Sequence, residues 1–293
     1  MARVEILTPA DTTALRDFLG RRIEHSMFLL SNLARAGFED RGDRLNGTYV
    51  GAFEGQALVG VACHYRMGNI IVSAPQHAAE LARAAIEASG RPIHGVVGPA
   101  PQVEAIAAAL GLPTGDACKL DEAEGLYWLE LADLRVPSAL REGTVRGRAL
   151  GQADLDLVTE WTVRYHVEEV RAVESAELRG RVRAELEESV TRGDVWVLER
   201  DGELLARTGF NAALPEAVQI GGVWTPHALR RRGYGRCVVA AHLLAVREAG
   251  VRTAILFTTD SNLPARRAYA ALGFQAVGRY RLLLLREPVE LHS

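Results

Sequence analysis

No stretch of this chain is apolar for the roughly 20 residues a membrane helix needs; the longest obvious run, Leu282 to Leu285, is strand length. The three cysteines, Cys63, Cys118 and Cys237, lie far apart and lack the spacing of a metal or redox motif. The net charge is −3, so no global basic field draws the chain to nucleic acid. The N-terminus, MARVEILTPADTTALRDF, has no signal-peptide core. It reads instead as a short strand followed by the helix start Pro9-Ala10-Asp11. These absences predict a soluble, reduced, cytoplasmic protein without metal, membrane or nucleic-acid partner.

What is present is enough material for two domains: 293 residues, 48% of them hydrophobic. Strand-like and helix-like segments alternate throughout, which indicates an α/β class. In the first half, strands are expected at 47–53, 57–64, 69–73, 93–97 and 126–131, with helices at 77–89 and 101–110. The second half repeats the order. A strand at 144–150 is followed by helices at 153–166 and 178–191. Strands at 194–199, 203–211 and 219–225 come next, the first two joined by the turn signal Asp201-Gly202. A helix at 235–249, a strand at 252–258, a helix at 264–272 and final strands over 274–285 complete it. An ungapped match of Ala108-Ala109-Leu110-Gly111 to Ala270-Ala271-Leu272-Gly273 supports duplication. The boundary is placed near Pro137 to Gly143, giving domains 1–138 and 139–293.

The chemistry concentrates in QIGGVWTPHALRRRGYGR, residues 219–236. A buried strand stops at Pro226, a basic loop follows, and Gly233 and Gly235 open a helix. The first N–H groups of a helix have no internal partner, and the helix dipole favours negative charge there. Glycines admit close approach to a phosphate. Arg230, Arg231, Arg232 and Arg236 add charge and forked donors. The Walker pattern is absent, and Val238 occupies the third glycine position of a dinucleotide fingerprint.

What remains, Arg-x-x-Gly-x-Gly after Val-x-Thr-Pro, resembles the pyrophosphate loop of the GNAT superfamily of N-acyltransferases. A second stretch, LFTTDSNLPARRAYAALGF at 256–274, is similar to the family's strand, loop asparagine, helix tyrosine and Gly-Phe. Together they cover about half the chain. The resemblance implies tandem GNAT-like units, each a mixed, mostly antiparallel sheet flanked by helices. It implies that strands 219–225 and 252–258 splay apart around acetyl-CoA, the cosubstrate. Backbone groups of Val223 and Thr225, with Trp224 between them, would pair with the pantetheine arm. Backbone N–H groups from Arg231 to Arg236, Tyr234 included, would hold the pyrophosphate. Asn262 would hydrogen-bond the arm, or cap its helix, or both. Tyr269 would protonate the departing thiolate.

An amine acceptor must lose a proton before it attacks. In relatives a glutamate on the strand before the loop takes it, and counting back from Val223 gives Ala217 with Glu216 beside it. Glu216 is the first candidate base; Glu169, Glu168 and His166 are the others. Helices 153–166 and 178–191 would border the acceptor site by the same resemblance.

In the first half Ala100 stands opposite Asn262 and Ala107 opposite Tyr269, and no basic glycine loop lies between Ser73 and Glu80. That half is expected to be a degenerate copy. His25, Asn32, His64 and His94 there are expected to be structural.

Three readings of activity stay open: an acetyltransferase acting on a primary amine, an amino-acid N-acyltransferase of the glycine-acyltransferase-like kind using other acyl-CoAs, and a CoA-binding regulator without turnover. The acceptor and the oligomeric state are not readable.

Overall fold

The computed structural model describes residues 2–291. The chain folds into two compact units, residues 2–126 with 277–291, and residues 127–276.

In the first unit the elements run β1 (Arg3–Ile6), α1 (Thr12–Gly20), α2 (Ile23–Ala36), β2 (Gly47–Glu54), β3 (Ala57–Tyr65), β4 (Asn69–Ser73), α3 (Ala78–Ser89), β5 (Ile93–Pro99), α4 (Ala100–Leu110) and β6 (Cys118–Glu130). The short α5 (Ser138–Arg141) then leads into the second series. That series is β7 (Arg146–Ala149), α6 (Leu155–Glu169), α7 (Ala176–Arg192), β8 (Val195–Arg200), β9 (Glu203–Ala213), β10 (Ala217–Trp224), α8 (Tyr234–Glu248), β11 (Thr253–Thr258), α9 (Leu263–Leu272) and β12 (Gln275–Val289). After α5 the order β-α-α-β-β-β-α-β-α-β is repeated without omission.

Pairing repeats as well. β1 to β4 form antiparallel neighbours and β4 runs parallel to β5. β7 to β10 do the same, with β10 parallel to β11. These are the mixed, mostly antiparallel sheets flanked by helices that the sequence led us to expect. Asp201 and Gly202 both take positive φ (53° and 82°), as a two-residue I′ hairpin connection requires.

The units part company with the 138/139 division at the last strand. β12 crosses from one unit to the other, and its residues from 280 onward pair antiparallel with β5. Leu283 and Leu285 thereby join the core built by Val50, Ile70, Val72, Leu81 and Val96. β6 crosses in the other direction: its end lies in the second unit, where β6 neighbours β11. A strand's alternating apolar pattern says which face is buried, not which sheet receives it, so the sequence could not locate this exchange.

The second unit has a core on each side of its sheet. Val238, Val239, Ala240 and Leu243 of α8 pack with Leu198, Ala206, Val218, Ile220, Ala254 and Leu256. Leu155, Val158 and Val163 of α6 pack with Leu178, Val182 and Leu186 of α7 and with Val195 and Val197. At roughly 25 cal/mol per Å² of apolar surface buried, these two layers are the main force holding β8 to β11 between helices. α7 is started by Ser175, whose hydroxyl accepts from the Leu178 N–H at 3.1 Å.

Candidate acyl-donor and acceptor site

The site starts with a ladder that stops early. β10 and β11 are paired at Ala217–Thr253, Val218–Ala254 and Gln219–Ile255. β10 continues to Trp224, but its last residues have left β11. The cause is local: register shifts against β9 fall between Gln219 and Ile220 and between Gly221 and Trp224. Bulges bend a strand and re-aim its side chains. Gly222 takes φ +57°, and any Cβ there would stand 2.9 Å from Arg207 Nη2. A Cβ at Gly221 would collide with the Asn211 amide. The positive φ at Gly222 favours glycine at this bend, and the bend lies where β10 and β11 part.

The opened segment leads through Thr225 and Pro226 into a single tight turn, His227–Leu229, and then the arginine loop. Gly233 caps α8 with φ +80°. The first helical bond is from the Cys237 N–H to the Gly233 carbonyl at 3.0 Å, so the N–H groups of Tyr234, Gly235 and Arg236 have no acceptor within the helix. Val223, Thr225 and Gly235 converge: a Cβ on Gly235 would meet Thr225 Oγ1 at 3.4 Å and Val223 Cγ1 at 3.7 Å. Arg231 and Arg232 are exposed, and Arg236 Nε is buried without a partner. The arrangement presents main-chain donors and a positive helix end, with the Arg236 guanidinium beside Gly233 and the exposed Arg231 and Arg232 in the adjoining loop. It can hold a diphosphate.

Some predicted residues contribute only partly. The Tyr234 ring is buried, with the Arg200 guanidinium 5.8 Å from its centroid, so only its backbone can face an anion. Trp224 is buried, and Arg230 lies over it at 4.8 Å while its Nε donates to the Thr225 carbonyl at 3.1 Å. Glu168 accepts from Arg230 at 3.5 Å and lies 3.0 Å from His227 Nε2. This ties the end of α6 to the start of the loop and commits Glu168 to an ion pair.

Asn262 caps α9, its Oδ1 accepting from the Ala265 N–H at 3.2 Å. That leaves Nδ2 as the group able to bind a ligand carbonyl. Tyr269 lies seven residues on, nearly the same helical face. It is buried, with its ring edge-on to Phe274 at 5.8 Å.

Glu216 is elsewhere. It precedes β10, and its carbonyl accepts from the Arg252 and Thr253 N–H groups at 3.0 and 3.2 Å, at the closed end of the ladder. At about 3.3 Å per residue, it is on the order of 20 Å along the strand from Val223. Counting back from Val223 therefore reaches the closed end of the ladder, far along the strand from the bend. Glu169 is exposed at the end of α6. His166, on the same helix, is half-buried, and burial first, then the Arg181 charge, lowers its pKa. It is therefore held neutral, the form that can accept a proton.

Sequence reasoning missed one group altogether. Arg207 on β9 is buried at 5% exposure, opposite Trp224 in the β9–β10 register. Its Nη1 donates to Thr162 Oγ1 of α6 at 2.7 Å, and its Nε is buried without an acceptor. Burial pulls its pKa down to about 10, with Tyr165 and Asp194 drawing it back up, so it stays charged at neutral pH. Among the described residues, no helix is long and apolar enough to cross a membrane.

Residues 155–274 match the family model described as "Acetyltransferase (GNAT) family". That stretch is a GNAT acetyltransferase domain. No curated protein sequence matches the chain. Solved structures do. The chain is similar to a Drosophila protein, with TM-score 0.62 and 17% identity over 97% of this chain and 99% of that one. It is similar to a GCN5-related N-acetyltransferase from Sphaerobacter thermophilus, with TM-score 0.59 and 13% identity over 100% and 97%. A tandem GNAT protein from the clavulanic acid biosynthesis pathway gives TM-score 0.52 and 15% identity over 97% and 98%. At these identities the likeness is one of fold. It extends beyond the GNAT stretch to nearly the whole chain, so the repeated β-α-α-β-β-β-α-β-α-β order is a tandem GNAT architecture.

Proposed function

We propose that the protein is an acetyl-CoA-dependent N-acetyltransferase that moves the acetyl group to a primary amine by direct attack. The observation that carries this reading is the early end of the β10–β11 ladder in front of the α8 N-terminus. A wedge with unpaired strand backbone and a diphosphate site side by side suits a pantetheine arm and its pyrophosphate.

In the reaction the acceptor amine forms a bond to the acetyl carbonyl carbon and the carbon–sulfur bond breaks. The ammonium proton must leave first, and the thiolate must receive one. Val223 and Thr225 offer main-chain groups to the arm, and Arg230, Arg231, Arg232, Arg236 and the N–H groups of the Gly233–Gly235 turn offer charge and donors to the phosphates. Asn262 Nδ2 adds a donor at the other strand. Tyr269 supplies the proton to sulfur. His166, neutral and on the α6 side, is the base this geometry favours over Glu216. A positioned acid or base contributes about 10²- to 10⁴-fold.

The test is thiol release from acetyl-CoA by the full chain against a panel of primary amines, with binding followed by calorimetry. Saturable binding and amine-dependent release support the reading. Failure of the chain to take up acetyl-CoA overturns it.

A further inference from the structure

Arg207 is a buried cation without a salt-bridge partner among the described residues. A guanidinium has five N–H donors. The bond that holds this one uses Nη1, to the Thr162 hydroxyl. Nε has no acceptor, and among the described residues no carboxylate pairs with the group. The nearest carboxylate influence is Asp194, whose Oδ2 accepts from Arg192 Nε at 2.6 Å and whose Oδ1 is buried without a partner, so its charge compensates Arg207 in part and makes no hydrogen bond to it. Elsewhere the protein shows what an arginine does with the Nε–Nη2 edge. Arg281 uses that edge to grip Asp121 with two bonds of 2.7 and 2.8 Å. At Arg207 the same edge is left without a carboxylate. Burying a charge costs several kcal/mol unless it is paired, so the group is present for something other than stability.

Its surroundings say where an anion would come from. The guanidinium lies on the α6 face of the sheet, level with the segment of β10 that has left β11. Two glycines make room for it: a Cβ at Gly209 would be 3.2 Å from Nη2, and one at Gly222 would be 2.9 Å. The α6 residues beside it are polar. Thr162 accepts its bond, Thr159 has a buried hydroxyl without a partner, and His166 four residues on feels its charge. Arg181 and Glu185 of α7 also face His166.

We infer that the acceptor carries a carboxylate near its amine, and that Arg207 is the specificity-determining residue that takes this carboxylate on its Nε–Nη2 edge. The inference rests on the N-acyltransfer reading above and narrows its acceptor to amino carboxylates. With the carboxylate on Arg207, the amine is held beside the bend at Gly221-Gly222, between the opened strand and His166. A bidentate guanidinium–carboxylate pair fixes orientation as well as affinity, and a site built around a buried charge rejects a neutral analogue because that charge is then left unpaired.

The experiment compares matched acceptors on the full chain with acetyl-CoA: amino acids of several lengths, their carboxamides, and the same skeletons without the carboxyl group. The expected result is a kcat/KM at least about tenfold higher for the carboxylates, seen mainly in KM. In Arg207→Met that preference should fall below about twofold, with acetyl-CoA affinity unchanged and a melting temperature equal to or above wild type. A purely structural arginine would lower the melting temperature and leave the preference intact.

Thermal shift with amino carboxylates in the presence of CoA gives a readout independent of turnover, expected in wild type and lost in Arg207→Met, with Arg207→Lys between. Equal rates for carboxylates and carboxamides overturn the inference and leave the acetyltransferase reading standing. A carboxylate-dependent shift that is lost in Arg207→Met, without turnover, supports the carboxylate site at Arg207 and overturns the acetyl-transfer reading. Absence of both preference and shift also overturns the inference.

Discussion

The two units carry one element order but treat the gap between their parallel strands in opposite ways. In the first, β4 and β5 stay together: beyond the paired residues Asn69–Gly95, Ile70–Val96 and Ile71–Val97, a Cβ at Gly98 would still collide with Val72. β5 runs directly into α4, and Gln102 of that helix accepts from the Ala74 N–H at 2.8 Å, tying α4 to the end of β4. In the second, β10 leaves β11 after Gln219, and a basic glycine turn occupies the connection to α8. Ala100 and Ala107 match Asn262 and Tyr269 in sequence; α4 begins at Ala100, and Ala107 is buried. The fold therefore needs none of the cofactor chemistry. What separates the two units at this gap is a pair of bulges, a few glycines and a longer connection. We propose that the first unit is a degenerate copy that contributes β12's surroundings and no cofactor site.

The strongest way to break this comparison is to count sites. Calorimetric titration of the full chain should give one acetyl-CoA per chain; two would put a working wedge in the first unit. Gly235→Trp should then remove the binding, by about a hundredfold or more. A side chain there projects between Val223 and Thr225, where the fold itself has ordinary space at the Cβ, so the melting temperature should hardly change. Gln102→Ala in the first unit should leave both the count and the affinity as they were.

A smaller effect is expected at Tyr269. Tyr269→Phe keeps the buried ring and its contact with Phe274 and removes the hydroxyl. If that hydroxyl protonates the thiolate, kcat should fall about a hundredfold with acetyl-CoA affinity unchanged. An unchanged kcat would return Tyr269 to a packing role.

The same contrast explains what could be read from the sequence. The anion turn was legible because it is written locally, in proline, arginine and glycine signals that act on their own backbone. The repeat was legible from helix-closing glycines and alternating strands. α2 was not, since Arg22 at its start provides no side-chain cap and the buried polar residues Ser26 and Asn32 interrupt its apolar face. Arg207 was invisible for a deeper reason. In Leu-Leu-Ala-Arg-Thr-Gly-Phe an arginine reads as a solvent-facing residue, and its burial depends on α6 above it and on Gly222 from the next strand. Glu216 came from a count along the strand, and a count does not say how far the residue stands from the bend.

Among the described residues each unit also buries one histidine fully, and the pair makes a sharper comparison. His64 in the first unit is pushed down to about 4 by burial, and its ring lies 2.8 Å from Ser89 Oγ and 3.3 Å from the Gly68 carbonyl. Unfolded, it would titrate near 6.5. The unfolded chain thus binds more protons between those values, and stability contributed by this site is complete above pH 6.5 and lost as pH falls toward 4. The loss is on the order of 3 kcal/mol. His64→Gln should flatten the acid side of a plot of melting temperature against pH. An unchanged acid slope would mean that His64 is already protonated in the folded protein.

His242 in the second unit should give the smallest effect, and one of opposite sign. It is stacked between Phe210 at 3.8 Å and Trp196 at 5.1 Å, and neither ring nitrogen has a partner. Burial lowers its pKa to about 3. A buried donor without an acceptor costs about 1–3 kcal/mol, whereas an apolar group of similar shape carries no such penalty. His242→Phe should therefore raise the melting temperature, by roughly 2–4 °C per kcal/mol for units of this size, whereas His64→Phe should lower it by breaking two contacts. The buried imidazole packs on the α8 side of the sheet, away from the α6 face that holds Arg207, so acetyl transfer should be untouched. A drop in melting temperature for His242→Phe would show that a nitrogen of this ring is satisfied in solution by a group such as an ordered water.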